Sequence, residues 1–267
     1  MAKPCLELII TRGLKEHPEY PRNNFVSPLT REQNVNMNWT IINHNWRGYD
    51  NPDSLTDSEI DMLRKLEALG MTSSFQLSQD FYSERSRNNA KSRIKKLSKN
   101  GILVSHYLET ESRGIIPIVT LGPGGARIID TPYTPNWWKG TDPYKVLTYL
   151  LMGKLYSRIS AIDKDALYLP APYPFNAVIE TKGVSFVIVM ASKGKVPTDL
   201  MWEKDTRLII LCEKTEEIVS IAQKIKNPNA RYITDYELFT IPLSEAFINY
   251  NDKTGTLQST EVKLFKT

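Results

Sequence analysis

The fold of this chain is decided by the stretch Glu84-Arg-Ser-Arg-Asn-Asn-Ala-Lys-Ser-Arg-Ile-Lys-Lys-Leu-Ser-Lys-Asn100, which Gly101 follows directly. Its apolar residues Ala90, Ile94 and Leu97 recur at the spacing of one helical face, and Gly101 stands where a left-handed residue ends a helix. Beyond Gly101 come two extended apolar runs, 102–108 and 115–121, joined by a polar segment. The stretch therefore predicts a helix over residues 84–100 followed by a β-hairpin.

Two further helices are predicted upstream of this stretch. Thr56-Asp-Ser-Glu59 is a capping-box pattern ahead of apolar residues at helical spacing, and Gly70 ends that helix. A short helix follows over residues 73–82. Three helices and then a hairpin is the order of a winged helix-turn-helix, whose third helix enters the major groove of DNA. We expect an α+β fold in which residues 54–130 form this domain.

Positive charge is concentrated on the third predicted helix. Seven Lys and Arg residues and no acidic residue lie between Arg85 and Lys99. Arg and Asn side chains hydrogen-bond guanine and adenine, whereas Lys positions phosphates. A basic helix face can also be simply solvated, but the preceding helices and the hairpin favour DNA binding. The candidate DNA-binding residues are Arg85, Asn88, Asn89, Lys91, Ser92, Lys95, Lys96, Lys99 and Arg113, the last at the hairpin tip.

The rest of the chain predicts a second domain. Residues 1–53 are rich in Asn and Pro and predict an irregular arm, and residues 131–141, with Trp137 and Trp138, predict a linker. Residues 142–248 alternate between helical and extended patterns and predict a small mixed α/β domain, and residues 249–267 predict a polar tail. The helix that follows residue 142 has a broad apolar face, which can either pack in the core of this domain or form a dimer interface.

Composition places the chain among globular proteins and excludes several classes. The chain of 267 residues is 41% hydrophobic and 24% charged, with Lys+Arg 34 against Asp+Glu 30. Its two cysteines, Cys5 and Cys212, lack the spacing of a zinc site or a disulfide framework. The N-terminus lacks the pattern of a secretory signal, and no apolar run is long enough to span a membrane. We expect a cytoplasmic protein without a cofactor or metal.

Catalytic motifs are weak in this sequence. The three histidines are scattered, and Leu121-Gly-Pro-Gly-Gly125 lacks the Lys-Ser/Thr of a phosphate-binding loop, so we expect a plain turn there. The one arrangement that suits an enzyme is nuclease-like: Asp163 and Asp165 precede Glu180-Thr-Lys182, which supplies carboxylates for Mg²⁺ and a lysine. However, Thr181-Lys-Gly183 also has the pattern of a hairpin tip, which would make these residues ordinary turn positions.

Two segments of the sequence carry a family resemblance: Asn89-Ala-Lys-Ser-Arg-Ile-Lys-Lys-Leu-Ser-Lys-Asn-Gly-Ile-Leu103 and Val119-Thr-Leu-Gly-Pro-Gly-Gly-Ala-Arg-Ile-Ile129. They resemble winged-helix proteins of the replication-relaxation type, found on plasmids and other mobile elements. The resemblance implies a C-terminal α/β domain of the restriction-endonuclease type. This chain departs from that pattern, because Asn176 stands where such nucleases carry Asp and Met190-Ala-Ser192 where they carry Glu-x-Lys. The resemblance thus implies a degenerate domain that has lost metal binding.

The sequence as a whole predicts a non-enzymatic, sequence-specific binder of double-stranded DNA, acting in transcriptional regulation or in maintenance of a mobile element. Its second domain is expected to form a homodimer or to bind a protein partner, and no membrane association is expected. Two alternatives stay open: a metal-dependent DNA endonuclease that uses Asp165, Glu180 and Lys182, and a protein-interaction module that does not bind DNA.

Overall fold

The computed structural model describes residues 15–16, 34–43, 55–82, 87–111, 114–191, 195–197 and 205–259. Over these residues the chain forms seven α-helices and two β-sheets, so it is an α+β protein, as predicted at that level. It divides into two compact units. Residues 31–157 form the N-terminal unit, and residues 158–267 together with 1–30 form the C-terminal unit. None of the described helices is both long enough and apolar enough to cross a bilayer.

The elements follow the predicted pattern to within a few residues wherever the sequence shows a strong period. In chain order they are β1 (Lys15–Glu16), β2 (Val35–Asn38), α1 (Asp57–Leu69), β3 (Met71–Ser73), α2 (Ser74–Phe81), α3 (Arg87–Lys99), β4 (Leu103–Thr110), β5 (Gly114–Leu121), α4 (Pro123–Ile128), α5 (Pro143–Ser160), β6 (Leu167–Leu169), β7 (Ala177–Thr181), β8 (Val184–Met190), β9 (Leu208–Cys212), α6 (Thr215–Ile225), β10 (Ala230–Thr234), α7 (Asp235–Thr240), β11 (Ile248–Asn251) and β12 (Thr256–Ser259).

Local hydrogen bonds set the ends of α1 and α2. Glu59 N donates to Thr56 Oγ1 over 3.3 Å, and Thr56 N donates to Glu59 Oε2 over 3.1 Å, so the predicted capping box is confirmed. Gly70 ends α1 with a φ of 77°, a conformation that favours glycine. Ser73 caps α2 by accepting a hydrogen bond from Gln76 N.

The junction between α3 and β4 depends on glycine. Gly101 has a φ of 71°, and Ile102 N donates to Leu97 O over 3.0 Å, which is the Schellman geometry of a helix end. The Gly122-Pro-Gly-Gly125 segment begins the short helix α4 instead of forming the plain turn expected. A Cβ atom at Gly122 would overlap the Gly101 carbonyl, and one at Gly125 would overlap the Ile102 carbonyl. These glycines therefore allow α4 to pack directly on the end of α3.

The N-terminal unit contains a four-stranded antiparallel sheet in the order β2-β4-β5-β3. Helices α1, α2 and α3 pack on one face of it through a cluster that includes Met62, Leu66, Leu97 and Val119. The irregular arm predicted for residues 1–53 is wrong at residues 35–38, which form β2. There β2 pairs with β4 along its whole length, from Val35 opposite Thr110 to Asn38 opposite Tyr107. Turn-forming Asn residues concealed this strand because they point to its exposed side.

The predicted linker over residues 131–141 belongs to the N-terminal unit. Trp138 is fully buried in a cluster with Met71, Ile118 and Val146, the last from α5. The compact units consequently divide at residue 157 and not near the predicted boundary at residue 142. The Pro and Gly residues of this segment mark turns, and turns do not prevent the side chains between them from entering a core.

The C-terminal unit contains an eight-stranded mixed sheet in the order β1-β12-β11-β10-β9-β8-β7-β6. Strands β8, β9 and β10 are parallel, and the other pairs are antiparallel. Helix α6 packs on the sheet through a buried stripe that includes Ile218, Ile221 and Ile225. Residues 249–259 of the predicted polar tail are polar but belong to the sheet, because β11 and β12 form a hairpin that continues it. Its side chains are polar or half-buried, so no apolar period shows in the sequence.

Candidate nucleic-acid interface

Helix α3 presents a polar face to solvent and buries its opposite, apolar face. Ala90, Ile94 and Leu97 are at most 4% exposed and pack in the cluster between the helices and the sheet. The opposite face collects the predicted residues whose side chains are described, and all of them are exposed: Asn89, Lys91, Ser92, Lys95, Lys96 and Lys99. This is the arrangement expected from a rotation of about 100° per residue.

The lysines on this face carry their charge into solvent. In the part of the chain that the structure describes, no carboxylate forms a salt bridge with Lys91, Lys95, Lys96 or Lys99. Helix α3 itself contains no acidic residue. Four positive charges on one helical face create a local positive potential that attracts a polyanion.

Arg93 differs from these lysines because its side chain turns toward α1. Arg93 Nε donates to Glu59 Oε1 over 2.6 Å, and Arg93 Nη2 donates to Glu59 Oε2 over 2.8 Å. Tyr82 Oη donates to the same carboxylate over 3.1 Å. Burial raises the pKa of Glu59, but hydrogen bonds from Arg93 and Thr56 outweigh it and hold that pKa below its usual range. The Glu59 hydrogen bond raises the pKa of Arg93.

Sequence reasoning missed this ion pair, although one signal for it exists. Arg93 lies three residues after Ala90 and four before Leu97, so it belongs to the flank of the buried face. A charged residue in that position needs a partner, and Glu59 lies on the buried side of α1 with only 5% exposure. The partner itself is 34 residues away in sequence and follows from no local pattern.

Three predicted site residues have no described side chain. Asn88 lies in the first turn of α3, but the position of its side chain is outside the described part of the structure. Arg85 and Arg113 lie outside the described residues altogether. Their assignments therefore stay predictions.

The hairpin of β4 and β5 runs beside α3 and is held by β2. Ser98 and Ser105 join α3 to β4 through a hydrogen bond of 2.7 Å between their hydroxyl oxygens. Glu109 on β4 accepts a hydrogen bond from Asn38 over 2.7 Å, and Glu111 accepts one from Asn34 over 3.3 Å. The side-chain amides of Asn38 in β2 and of Asn34, which directly precedes it, thus hydrogen-bond to the two hairpin carboxylates.

The residues of the nuclease alternative form a hairpin and its support. Lys182 and Gly183 have φ values of 48° and 75°, the signature of a two-residue turn between β7 and β8, as predicted. Asp163 is buried and accepts hydrogen bonds from Thr181 Oγ1 over 2.5 Å and from Lys182 N over 3.2 Å. Glu180 accepts one from Ser185 across the strands. Over the described residues, no three His, Cys, Asp or Glu side chains come together in a way that could hold a metal ion.

Asn176 directly precedes β7 and hydrogen-bonds to the neighbouring strand β8. Met190 N donates to Asn176 Oδ1 over 2.8 Å, and Asn176 N donates to Ile188 O over 2.9 Å. The side-chain amide at residue 176 therefore completes the ladder between β7 and β8. An aspartate there would also accept this hydrogen bond, so the geometry requires an acceptor and not an amide.

Comparison with known proteins identifies no relative of this chain. No family model, no curated protein and no solved structure matches it.

Proposed function

We propose that this chain is a sequence-specific double-stranded DNA-binding protein whose helix α3 enters the major groove. The exposed face of α3, with four lysines that pair with no described carboxylate, is the observation that carries the proposal. The element order α1-β3-α2-α3-β4-β5, in which β3 pairs with β5 and β4 pairs with β5, supports a winged helix-turn-helix.

The composition of this face favours a duplex over a single strand. Proteins that bind single strands stack bases on aromatic side chains. The described exposed positions of α3 are Asn, Ser and Lys and include no aromatic residue. A helix face that carries lysines, one amide (Asn89) and one hydroxyl (Ser92) suits the major groove of a duplex. In this pose the lysines contact phosphates, and Asn89 and Ser92 hydrogen-bond to base edges.

Two substitutions on α3 are expected to separate phosphate contacts from base contacts. Lys96→Ala should weaken binding to all duplexes alike and reduce the slope of log K against log salt by about one unit, because one phosphate contact is lost. Asn88→Ala should cost about 1–3 kcal/mol on a preferred duplex and little on random DNA. Fluorescence anisotropy with labelled duplexes, over a salt series from about 50 to 200 mM, measures both effects.

Lys224→Ala is the matched control for the lysine, because Lys224 is also an exposed helical lysine but lies on α6 in the C-terminal unit. It should leave the affinity and the salt slope unchanged. If the wild-type chain binds no duplex even at low salt, the proposal is wrong and the lysine face becomes a candidate for contact with an acidic protein. If Lys96→Ala and Lys224→Ala behave alike, α3 is not the binding element.

We extend the proposal to the C-terminal unit, which we infer to be non-catalytic and to serve self-association or recruitment of a partner. The hydrogen bonds of Asn176 and Glu180 to β8 and the turn position of Lys182 support this inference, since each residue serves the β7–β8 hairpin. Light scattering should give twice the chain mass of 30.6 kDa for a homodimer. Nicking of DNA that needs Mg²⁺ and disappears in Glu180→Gln would overturn the non-catalytic inference.

The cellular role is proposed on the resemblance noted in the sequence. Transcriptional control and maintenance of a plasmid or other mobile element both require a protein that finds one site among many. Sequencing of genomic fragments that the chain retains at high salt would identify that site.

A further inference from the structure

The described basic side chains of α3 fall into two sets with different surroundings. Four lysines point to solvent without a described carboxylate partner, as given above. Arg93 alone makes a two-point contact, through Nε and Nη2, with both oxygens of Glu59. The Glu59 side chain is 6% exposed and that of Arg93 is 25% exposed, so this pair is largely withdrawn from water.

The geometry of this pair constrains the rotation of α3 about its own axis. A planar guanidinium that meets a planar carboxylate at two points accepts only a narrow range of orientations. The carboxylate is itself held, because Thr56 N and Tyr82 Oη donate to it from the start of α1 and from the end of α2. Arg93 thereby ties α3 to both preceding helices at one point.

A small rotation of α3 has unequal effects on the two kinds of DNA contact. Side-chain tips lie about 5–6 Å from a helix axis, so a rotation of about 20° moves them by about 2 Å. A hydrogen bond to a base edge does not survive such a displacement. The attraction between a lysine and a phosphate survives, because it falls off slowly and is screened only over about 10 Å.

We propose that the Glu59–Arg93 ion pair is a positioning device that sets sequence discrimination without contacting DNA. This inference rests on the proposed function. It assigns to Arg93 a role different from that of its basic neighbours: they supply affinity for any duplex, and Arg93 supplies the orientation in which α3 reads bases. Loss of the pair lowers discrimination and leaves the electrostatic part of binding intact.

Two conservative substitutions test this role. Arg93→Lys keeps the positive charge but removes the two-point contact with the carboxylate. Glu59→Gln removes the negative charge but keeps a side chain that can complete the capping box at position N3 of α1. The probes are a duplex that the wild-type chain selects from a random-sequence library and a scrambled duplex of equal length. Affinities for both are measured over a salt series, at a temperature where circular dichroism shows every variant to be folded.

We expect each variant to bind the scrambled duplex within about twofold of the wild-type affinity, with the same salt slope. The ratio of affinities for the selected and scrambled duplexes should fall about tenfold, which is the discrimination that one good base contact provides. The double variant Glu59→Gln/Arg93→Lys should lose no more discrimination than either single variant, because both act on one ion pair. Arg64→Lys is the matched control: Arg64 forms an exposed pair with Asp61 on α1, over 3.3 Å.

Other outcomes overturn the inference in distinguishable ways. If the wild-type chain selects a duplex and the variants keep its discrimination, the positioning role is wrong and the proposed function stands. If the variants lose affinity equally for both duplexes, Arg93 acts as one more phosphate contact. If the wild-type chain binds no duplex, the proposed function fails and the positioning role fails with it.

Discussion

Replacement of Trp138 by alanine is expected to lower the free energy of unfolding by about 4 kcal/mol. The indole is fully buried, its Nε1 donates to Thr40 O over 3.0 Å, and its ring lies 4.8 Å from that of His106. Truncation removes buried apolar area, leaves a cavity beside Val146 and orphans the Thr40 carbonyl. Equilibrium urea unfolding followed by circular dichroism measures the change.

The neighbouring tryptophan is the control for this experiment. Trp137 is 36% exposed and stands next to Trp138 in sequence, so Trp137→Ala should cost about 2 kcal/mol, clearly less than Trp138→Ala. An equal loss in the two variants would contradict the packing described for residues 131–141. The unfolding slope m should stay the same in both variants, which shows that the same transition is compared.

Acidification is expected to destabilise the N-terminal unit through His106. This ring is fully buried, Thr40 N donates to its Nδ1 over 3.1 Å, and its Nε2 lies 3.0 Å from Thr120 Oγ1. Since Nδ1 accepts a hydrogen bond, the folded state holds the neutral ring with its proton on Nε2. Protonation of Nδ1 would place its N–H against the N–H of Thr40, so that two donors face each other. The described hydrogen-bond and aromatic-ring partners of His106 include no carboxylate that could stabilise a charged ring; they are Trp39, Thr40, Thr120 and Trp138.

The sign and size of this pH effect follow from the pKa of His106. Burial lowers that pKa from 6.5 to about 4. Because the folded state binds the proton less well than the unfolded state, the stabilisation is complete above about pH 6.5 and is lost as the pH falls toward 4. The difference corresponds to about 3 kcal/mol.

To isolate the contribution of His106, the free energy of unfolding is measured as a function of pH for the wild-type chain and for His106→Gln, and the two curves are compared. The variant is expected to be less stable at pH 7, because its side chain packs less well against the two tryptophans. Between pH 6.5 and 4 its stability should fall by about 3 kcal/mol less than that of the wild type. Parallel curves would show that His106 titrates with an ordinary pKa, and so contradict its burial.

Most helices and strands were predictable because their signals are local. The capping box at Thr56, the left-handed Gly101 and the apolar spacing of Ala90, Ile94 and Leu97 each act within about one helical turn. The exposed lysines of α3 follow from the same spacing, since a residue opposite a buried face is exposed. Elements with weak periods escaped prediction, as β2 and the hairpin of β11 and β12 did, because their side chains are only partly buried.

The sequence by itself determined where α1, α2, α3 and the β4–β5 hairpin form, and which side of α3 carries its charge. Only the tertiary structure decided that Arg93 turns away from that charged side toward Glu59, that β2 joins β4 and that Trp138 enters the core with His106. The physical reason is the range of the interactions. Caps and helical periodicity join residues a few positions apart, whereas an ion pair, a strand register or a packed ring depends on partners that the folded chain alone brings together.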